Sequence, residues 1–306
     1  MRAIDYAAFV SDETAMSQAA CQQKPPRQKE LTFDVNGLRL TARSWGDPAG
    51  TPTLALHGWL DNANTFDRLA PLLPELDLVA PDFAGHGFSS HRPAGVHYTS
   101  FADVQDALAI ANDLGWDRFN VIGHSMGASV ATELAGLFPE RILRAVMIDG
   151  FAHHEGNSAE TLESNRRAIE QMLAQHKTPP VYADLDSMIR RVTEATDQSW
   201  DAAATLVARG HRLVRGGYTW RTDPRIRFST PQRQNHEQLD ALMERSTAPT
   251  LLIVANQGDS WYRPGIERRA AKHPALRIEY IDGPHHVHLE HAPRVADLIR
   301  EFLELG

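Results

Sequence analysis

The chain has 306 residues, of which 42% are hydrophobic and 23% charged, as in ordinary globular proteins. No apolar run approaches the roughly 20 residues that a membrane-spanning helix needs, and the net charge of -8 has no basic block for nucleic acid. A single cysteine, Cys21, excludes an intramolecular disulfide. The N-terminus lacks the basic start and apolar core of a secretory signal, so we expect a cytoplasmic protein.

The first predicted elements are an extension and a hairpin. Residues 1–29 mix polar and small side chains and contain Pro25 and Pro26 near their end, which predicts little structure. Residues 31–36 and 38–45 are rich in β-forming side chains and flank Gly37. They predict an antiparallel hairpin at the edge of a sheet.

Short apolar runs separated by segments of helical length follow the hairpin. They span residues 53–58, 76–83, 120–125, 145–150, 250–256 and 277–282. A strand that helices cover on both faces is hydrophobic along its whole length, whereas a half-exposed strand alternates. The pattern predicts an α/β fold with a mostly parallel central sheet. Apolar residues recur every three or four positions from Phe101 to Leu114 and from Val295 to Leu303, which predicts helices packed on the sheet.

This alternation breaks between the strands at 145–150 and 250–256. About a hundred residues are too many for a simple crossover connection, so we expect residues 151–248 to form an inserted helical lid. Residues 30–150 and 249–306 would then form the core.

The segment that points most directly to chemistry surrounds Ser125. Gly123-His124-Ser125-Met126-Gly127 follows an apolar strand and precedes a segment of helical period. A serine between two glycines at such a strand-to-helix turn predicts a nucleophile elbow, with the hydroxyl at the tip of the turn. The glycines suit a turn in which backbone segments come close together. We therefore predict that Ser125 is a nucleophile rather than part of a merely tight turn.

A serine hydroxyl is a weak nucleophile and needs a base, which in this architecture comes last in the chain. Residues 282–293 carry four histidines, and the base should lie on the loop that leaves the last strand. His285 is the predicted base and His286 the alternative. His285, His288 and His291 are spaced by three, but a glycine and a proline interrupt the helix that would align them. Neither a metal site nor a cofactor is predicted.

The base needs an acid to orient it. Asp259 follows the strand at 250–256 and precedes the histidine segment, so it is the predicted acid. Asp149 ends the strand at 145–150 and is the alternative.

Backbone amides should stabilise the oxyanion that forms during acyl transfer. One predicted donor is the amide of Met126, the residue after the nucleophile. The second should come from the loop at 56–62, where Trp59 is the predicted donor.

These motifs resemble the α/β-hydrolase superfamily from about residue 31 onward. HGW at 57–59, APDFAGHGFSS at 80–90, GHSMG at 123–127, an acid after the strand at 250–256 and a late histidine occur in that superfamily's order. Residues 57–71, 212–229 and 285–290 are similar to the serine hydrolase-like branch. A serine at the elbow, where dehalogenases and epoxide hydrolases have aspartate, argues against those relatives.

The resemblance implies an α/β-hydrolase fold that cleaves a carboxylic ester or related acyl bond. A Ser-His-Asp catalytic triad would act through an acyl-enzyme on a small acyl or ester molecule. Two alternatives remain open: a cofactor-free lyase or perhydrolase with the same triad, and a non-catalytic ligand-binding member. Substrate identity and oligomeric state, including a homodimer, are also open.

Overall fold

The structure is a computed structural model that describes most of the chain after the predicted extension. The described residues are 29–153, 156–174, 178–231, 233–257 and 263–305. The extension lies outside them except for its last residue. Within these ranges, no helix combines the length and the apolar character that crossing a bilayer requires.

Strands of the described residues form one large sheet and one small hairpin. They are β1 (Lys29–Val35), β2 (Leu38–Gly46), β3 (Thr51–Leu56), β4 (Leu76–Pro81), β5 (Phe119–His124), β6 (Ile142–Ile148), β7 (His211–Val214), β8 (Gly217–Trp220), β9 (Thr250–Ala255) and β10 (Leu276–Ile281). The large sheet has the order β1-β2-β4-β3-β5-β6-β9-β10. β1 and β2 pair antiparallel at its edge, β2 is antiparallel to β4, and all later neighbours are parallel. The predicted edge hairpin and mostly parallel sheet are confirmed.

Helices cover both faces of the sheet. They are α1 (Ser100–Asp113), α2 (Met126–Leu137), α3 (Ser158–Leu173), α4 (Leu185–Thr193), α5 (Trp200–Gly210), α6 (His236–Arg245), α7 (Arg263–Ala270), α8 (Val287–Glu290) and α9 (Ala292–Leu303). Alternate residues of a strand enter opposite cores: Leu54 packs with α1, α2 and α6, whereas Ala55 packs with α9. Both faces are therefore buried, which explains the continuous hydrophobicity of the strands.

One residue of the apolar stripe predicted for α1 is exposed instead of packed on the sheet. Phe101 is 72% exposed, because it lies in the first turn of α1, ahead of the residues that pack on the sheet. The rest of that stripe begins at Val104, which is buried in the core.

The segment between β6 and β9 contains α3 to α6 and the small hairpin. Its helices α4 and α5 share a core of their own, formed by Met188, Ile189, Ala203 and Val207. In contrast, α6 places Leu239 in the main core beside α2. The described part of the segment contains four α-helices and one hairpin, while its role as a lid and its division from the core at residues 151 and 248 stay predictions.

A buried guanidinium anchors α5 to the sheet. Arg209 Nε lies 2.9 and 2.8 Å from the two carboxylate oxygens of Asp82, and its Nη atoms lie 2.6 and 3.0 Å from Glu30. Asp82 is fully buried and also accepts the backbone amides of Ala63 and Phe88. One side chain thereby ties the inserted segment to β1 and to the loop after β4.

We expect Arg209→Met to lower the free energy of unfolding by about 3–5 kcal/mol, because it leaves the Asp82 carboxylate buried without its cation. Urea unfolding followed by circular dichroism measures the change. The matched control is Arg212→Met, at an exposed position on β7, which should change stability by at most about 0.5 kcal/mol. Equal effects of the two substitutions would show that the anchor contributes nothing specific.

Candidate active site

Ser125 occupies a strained turn between β5 and α2. Its backbone has φ 52° and ψ -115°, a conformation that residues other than glycine rarely adopt. The amide of Ser125 donates to the carbonyl of Ile148 in β6, at 3.0 Å. Its carbonyl accepts the amides of Ala128 and Ser129 in the first turn of α2. The neighbouring strand and the helix thus hold the serine at the tip of the turn.

The glycines of the elbow are required by close backbone approach. A Cβ atom on Gly127 would lie 2.1 Å from the carbonyl oxygen of Leu56 and 2.7 Å from that of His57. A Cβ atom on Gly123 would lie 2.4 Å from the carbonyl oxygen of Gly127. These contacts are with backbone atoms, so side-chain rotation cannot relieve them.

The structure brings a histidine and a carboxylate to this serine. His285, on the loop between β10 and α8, has Nε2 2.8 Å from Ser125 Oγ and Nδ1 2.5 Å from Asp149 Oδ2. Asp149 is buried at the end of β6, and its Oδ1 accepts the amide of Ala255 at 2.9 Å. An Nδ1–H that donates to Asp149 leaves the Nε2 lone pair for the serine hydroxyl. The predicted acid Asp259 lies outside the described residues, so the carboxylate found here is the alternative from the sequence.

The other histidines of the same segment have different partners. His286 Nε2 faces Asp61, at 3.3 and 3.2 Å from its two carboxylate oxygens. His288 is fully buried, and its Nε2 lies 2.7 Å from Thr65 Oγ1. Among the described histidines of this segment, His285 is therefore the one hydrogen-bonded to Ser125.

Two backbone amides near the elbow are available to a ligand. Met126 is the first residue of α2, and Trp59 lies in the loop after β3. Neither amide donates to a hydrogen-bond acceptor within the part of the chain that the structure describes. The helix N-terminus also carries partial positive charge, which favours an anion beside Met126. Their convergence on one oxyanion stays a prediction.

A buried polar cluster next to these residues was missed by the sequence analysis. Asp61 is 5% exposed and His124 is fully buried, and Asp61 Oδ2 lies 3.4 Å from His124 Nδ1. Burial raises the pKa of Asp61, but the nearby His286 and His124 outweigh burial and hold that pKa well below its usual range. Burial lowers the pKa of His124 to about 4. The available signal was the density of ionisable residues in loops that end neighbouring parallel strands.

The arrangement can activate a hydroxyl for attack. A serine bonded to imidazole, which in turn donates to a buried carboxylate, can lose its proton as it attacks an electrophilic carbon. The carboxylate would stabilise the imidazolium that forms.

Comparison with known proteins gives matches over most of the chain. Residues 52–292 match the family model described as alpha/beta hydrolase fold. A serine hydrolase-like protein of Danio rerio is 32% identical over 288 residues, covering 90% of this chain and 88% of the relative. Serine hydrolase-like protein 2 of Homo sapiens is 30% identical over 294 residues, covering 90% of this chain and 94% of the relative.

Solved structures with the same fold also match most of the chain. The crystal structure of a hypothetical protein from Pseudomonas aeruginosa PAO1 is 38% identical, with a TM-score of 0.86 over 90% of this chain and 99% of that one. A thioesterase domain from the curacin biosynthetic pathway has a TM-score of 0.81 over 90% of this chain and 99% of that one. At 22% identity, the second likeness concerns the fold alone.

We expect Gly127→Ala to destabilise the protein by at least about 3 kcal/mol, because its Cβ atom would overlap the end of β3. Thermal and urea unfolding measure the loss. The control is Gly210→Ala, whose Cβ atom would meet its nearest neighbour at an ordinary 3.5 Å, and which should leave stability within about 1 kcal/mol. A Gly127→Ala protein as stable as the control would contradict the tight elbow.

Proposed function

Because the chain belongs to the α/β-hydrolase family, in its serine hydrolase-like branch, we propose that this hydrolase cleaves a carboxylic ester or related acyl bond. The observation that carries the proposal is the continuous hydrogen-bonded chain from Ser125 through His285 to Asp149. The proposed substrate is a small acyl or ester molecule.

In the first half of the reaction, Ser125 Oγ attacks the substrate carbonyl carbon and its proton passes to His285 Nε2. The tetrahedral intermediate collapses when the imidazolium returns that proton to the leaving alcohol, which produces an acyl-enzyme. A water molecule then attacks the ester carbon with the same histidine as base, and Ser125 is released with the carboxylic acid.

The amides of Trp59 and Met126 are the proposed oxyanion donors. Neither amide donates a hydrogen bond to another described residue. Met126 directly follows Ser125, and Trp59 follows the residues at the end of β3 that Gly127 approaches closely. Preorganised donors are effective because they need no reorientation when negative charge develops on the carbonyl oxygen.

We propose that residues 151–248 act as a lid. Contacts between this segment and the loop after β3 support the proposal. Asn62 Nδ2 donates to the carbonyl of Leu206 at 2.9 Å, and Trp59 Nε1 donates to that of Ile226 at 3.3 Å. The indole of Trp59 remains 49% exposed beside Arg227, so it can contact a substrate that enters between loop and lid.

Ser125→Ala should abolish labelling by a fluorophosphonate probe and lower turnover of p-nitrophenyl esters by about a millionfold, because the nucleophilic oxygen is lost. Gel fluorescence and absorbance assays measure the two effects. Ser129→Ala, one turn further along α2, is the matched control and should retain both.

Absence of labelling in the wild-type protein would contradict catalysis and favour a ligand-binding protein. Labelling that depends on Ser125, without cleavage of short or long acyl esters, would contradict ester hydrolysis. That second outcome would direct attention to the lyase and perhydrolase alternatives.

The proposed acid is Asp149, because Ala255 holds its carboxylate while the second oxygen faces His285. Asp149→Asn should lower kcat by about 10⁴-fold, since an amide cannot stabilise the imidazolium in the same way. Asp259→Asn is the comparison and should cost less than about tenfold. The reverse ranking in an ester assay would assign the acid to Asp259.

A further inference from the structure

The buried cluster beside the triad joins three segments that are distant in sequence. Asp61 comes from the loop after β3, His124 ends β5, and His286 precedes α8. All three are at most 7% exposed. Their potential ligand atoms lie within 4.8 Å of one another, so they enclose one small space.

His124 has an oxygen acceptor at each of its ring nitrogens. The carbonyl oxygen of His285 lies 3.1 Å from Nε2, and Asp61 Oδ2 lies 3.4 Å from Nδ1. A neutral imidazole has one N–H, so the lone pair on its other nitrogen must face an oxygen lone pair. The buried Nδ1 atom makes no hydrogen bond within the described residues. A proton or a metal ion between Nδ1 and the carboxylate would remove this conflict.

A proton between His124 and Asp61 would leave the contact of His286 with the same carboxylate unaccounted for, whereas a metal ion would account for both. His286 Nε2 faces the Asp61 carboxylate, at 3.2 Å from Oδ2. A single proton can bridge one nitrogen and one oxygen, whereas a metal ion can bind both imidazoles and the carboxylate together. The convergence of three ligand atoms therefore favours a cation.

We propose that Asp61, His124 and His286 bind a divalent ion of the zinc class. Zinc bonds of about 2.0–2.2 Å in tetrahedral geometry place neighbouring ligand atoms about 3.3–3.5 Å apart. The separations from Asp61 Oδ2, 3.2 and 3.4 Å, are close to those values. Two imidazoles with one carboxylate also suit zinc or cobalt better than calcium or magnesium, which prefer oxygen ligands.

The surrounding contacts orient the proposed ligands. The carbonyl of His285 accepts Nε2–H of His124, which directs the Nδ1 lone pair towards Asp61. With Nε2 bound to the ion, His286 would carry its proton on Nδ1. The Gln198 amide, whose terminal atom lies 3.0 Å from both ring nitrogens, would present its oxygen there to accept that proton. The ring centroid of His288 lies 4.2 Å from that of His124. Through the carbonyl of His285, a bound ion would stabilise the loop that carries the triad imidazole. Its role would be to position this loop, without contact with the substrate.

The test uses the full, untagged chain after treatment with a chelator. Calorimetric titration with Zn²⁺ should show one tight equivalent, and Co²⁺ should give the visible absorption of a tetrahedral site. At a hundredfold excess over Kd, Zn²⁺ should raise the melting temperature by about 5 °C. None of these measurements depends on hydrolase activity.

Asp61→Asn and His286→Gln should each weaken Zn²⁺ binding by at least about tenfold. His291→Gln replaces an exposed histidine of the same segment and should bind as the wild type does. Circular dichroism of the metal-free variants checks that they fold. X-ray absorption of the zinc-loaded wild type, which needs no variant, should show two imidazole ligands.

Absence of a tight equivalent in the wild type would overturn the proposal and leave a proton-sharing network. Binding that survives both ligand substitutions would also overturn it, because the ion would then lie elsewhere on the chain. A zinc spectrum with fewer than two imidazoles would do the same.

Discussion

The close approach of backbone segments at the β5–α2 turn is the constraint on which the rest of the site depends. Ser125 adopts its left-handed conformation because β6 accepts its amide while α2 donates to its carbonyl. Helix α2 can begin so near the sheet only because Gly127 has no Cβ atom to meet the end of β3. This proximity brings the start of α2 close to the loop that carries Trp59.

The parallel sheet supplies the remaining groups from one edge. Strands β3, β5, β6 and β10 end on the same side, since neighbouring parallel strands share a direction. Their loops bring Asp149 and His285 to Ser125, although 136 positions separate the aspartate from the histidine. The same convergence concentrates buried polar groups, and Asp61 and His124 lie near His285 as a consequence. Arg209 joins the inserted segment to this edge through Asp82 and Glu30.

Much of the fold and part of the candidate site follow from local sequence patterns. The edge hairpin, the buried parallel strands and the α2 helix are visible because each has a local side-chain pattern: β-forming residues around Gly37, continuous hydrophobicity, or a helical period. Phe101 shows the limit of that argument, since periodicity places it on a stripe but its position in the first turn leaves it exposed. For the elbow, the glycines flanking Ser125 were sufficient, because the turn is made within five residues.

The sequence by itself therefore determined the class of fold, the serine at the elbow and a short set of partners for it. Only the tertiary structure decided that His285 rather than His286 faces the serine, and that Asp149 lies against the imidazole. It also brought together Asp61, His124 and His286, which come from three segments that are distant in sequence. The physical reason is that local periodicity specifies a strand or helix, whereas hydrogen bonds between loops depend on strand order and register, which many distant contacts set jointly.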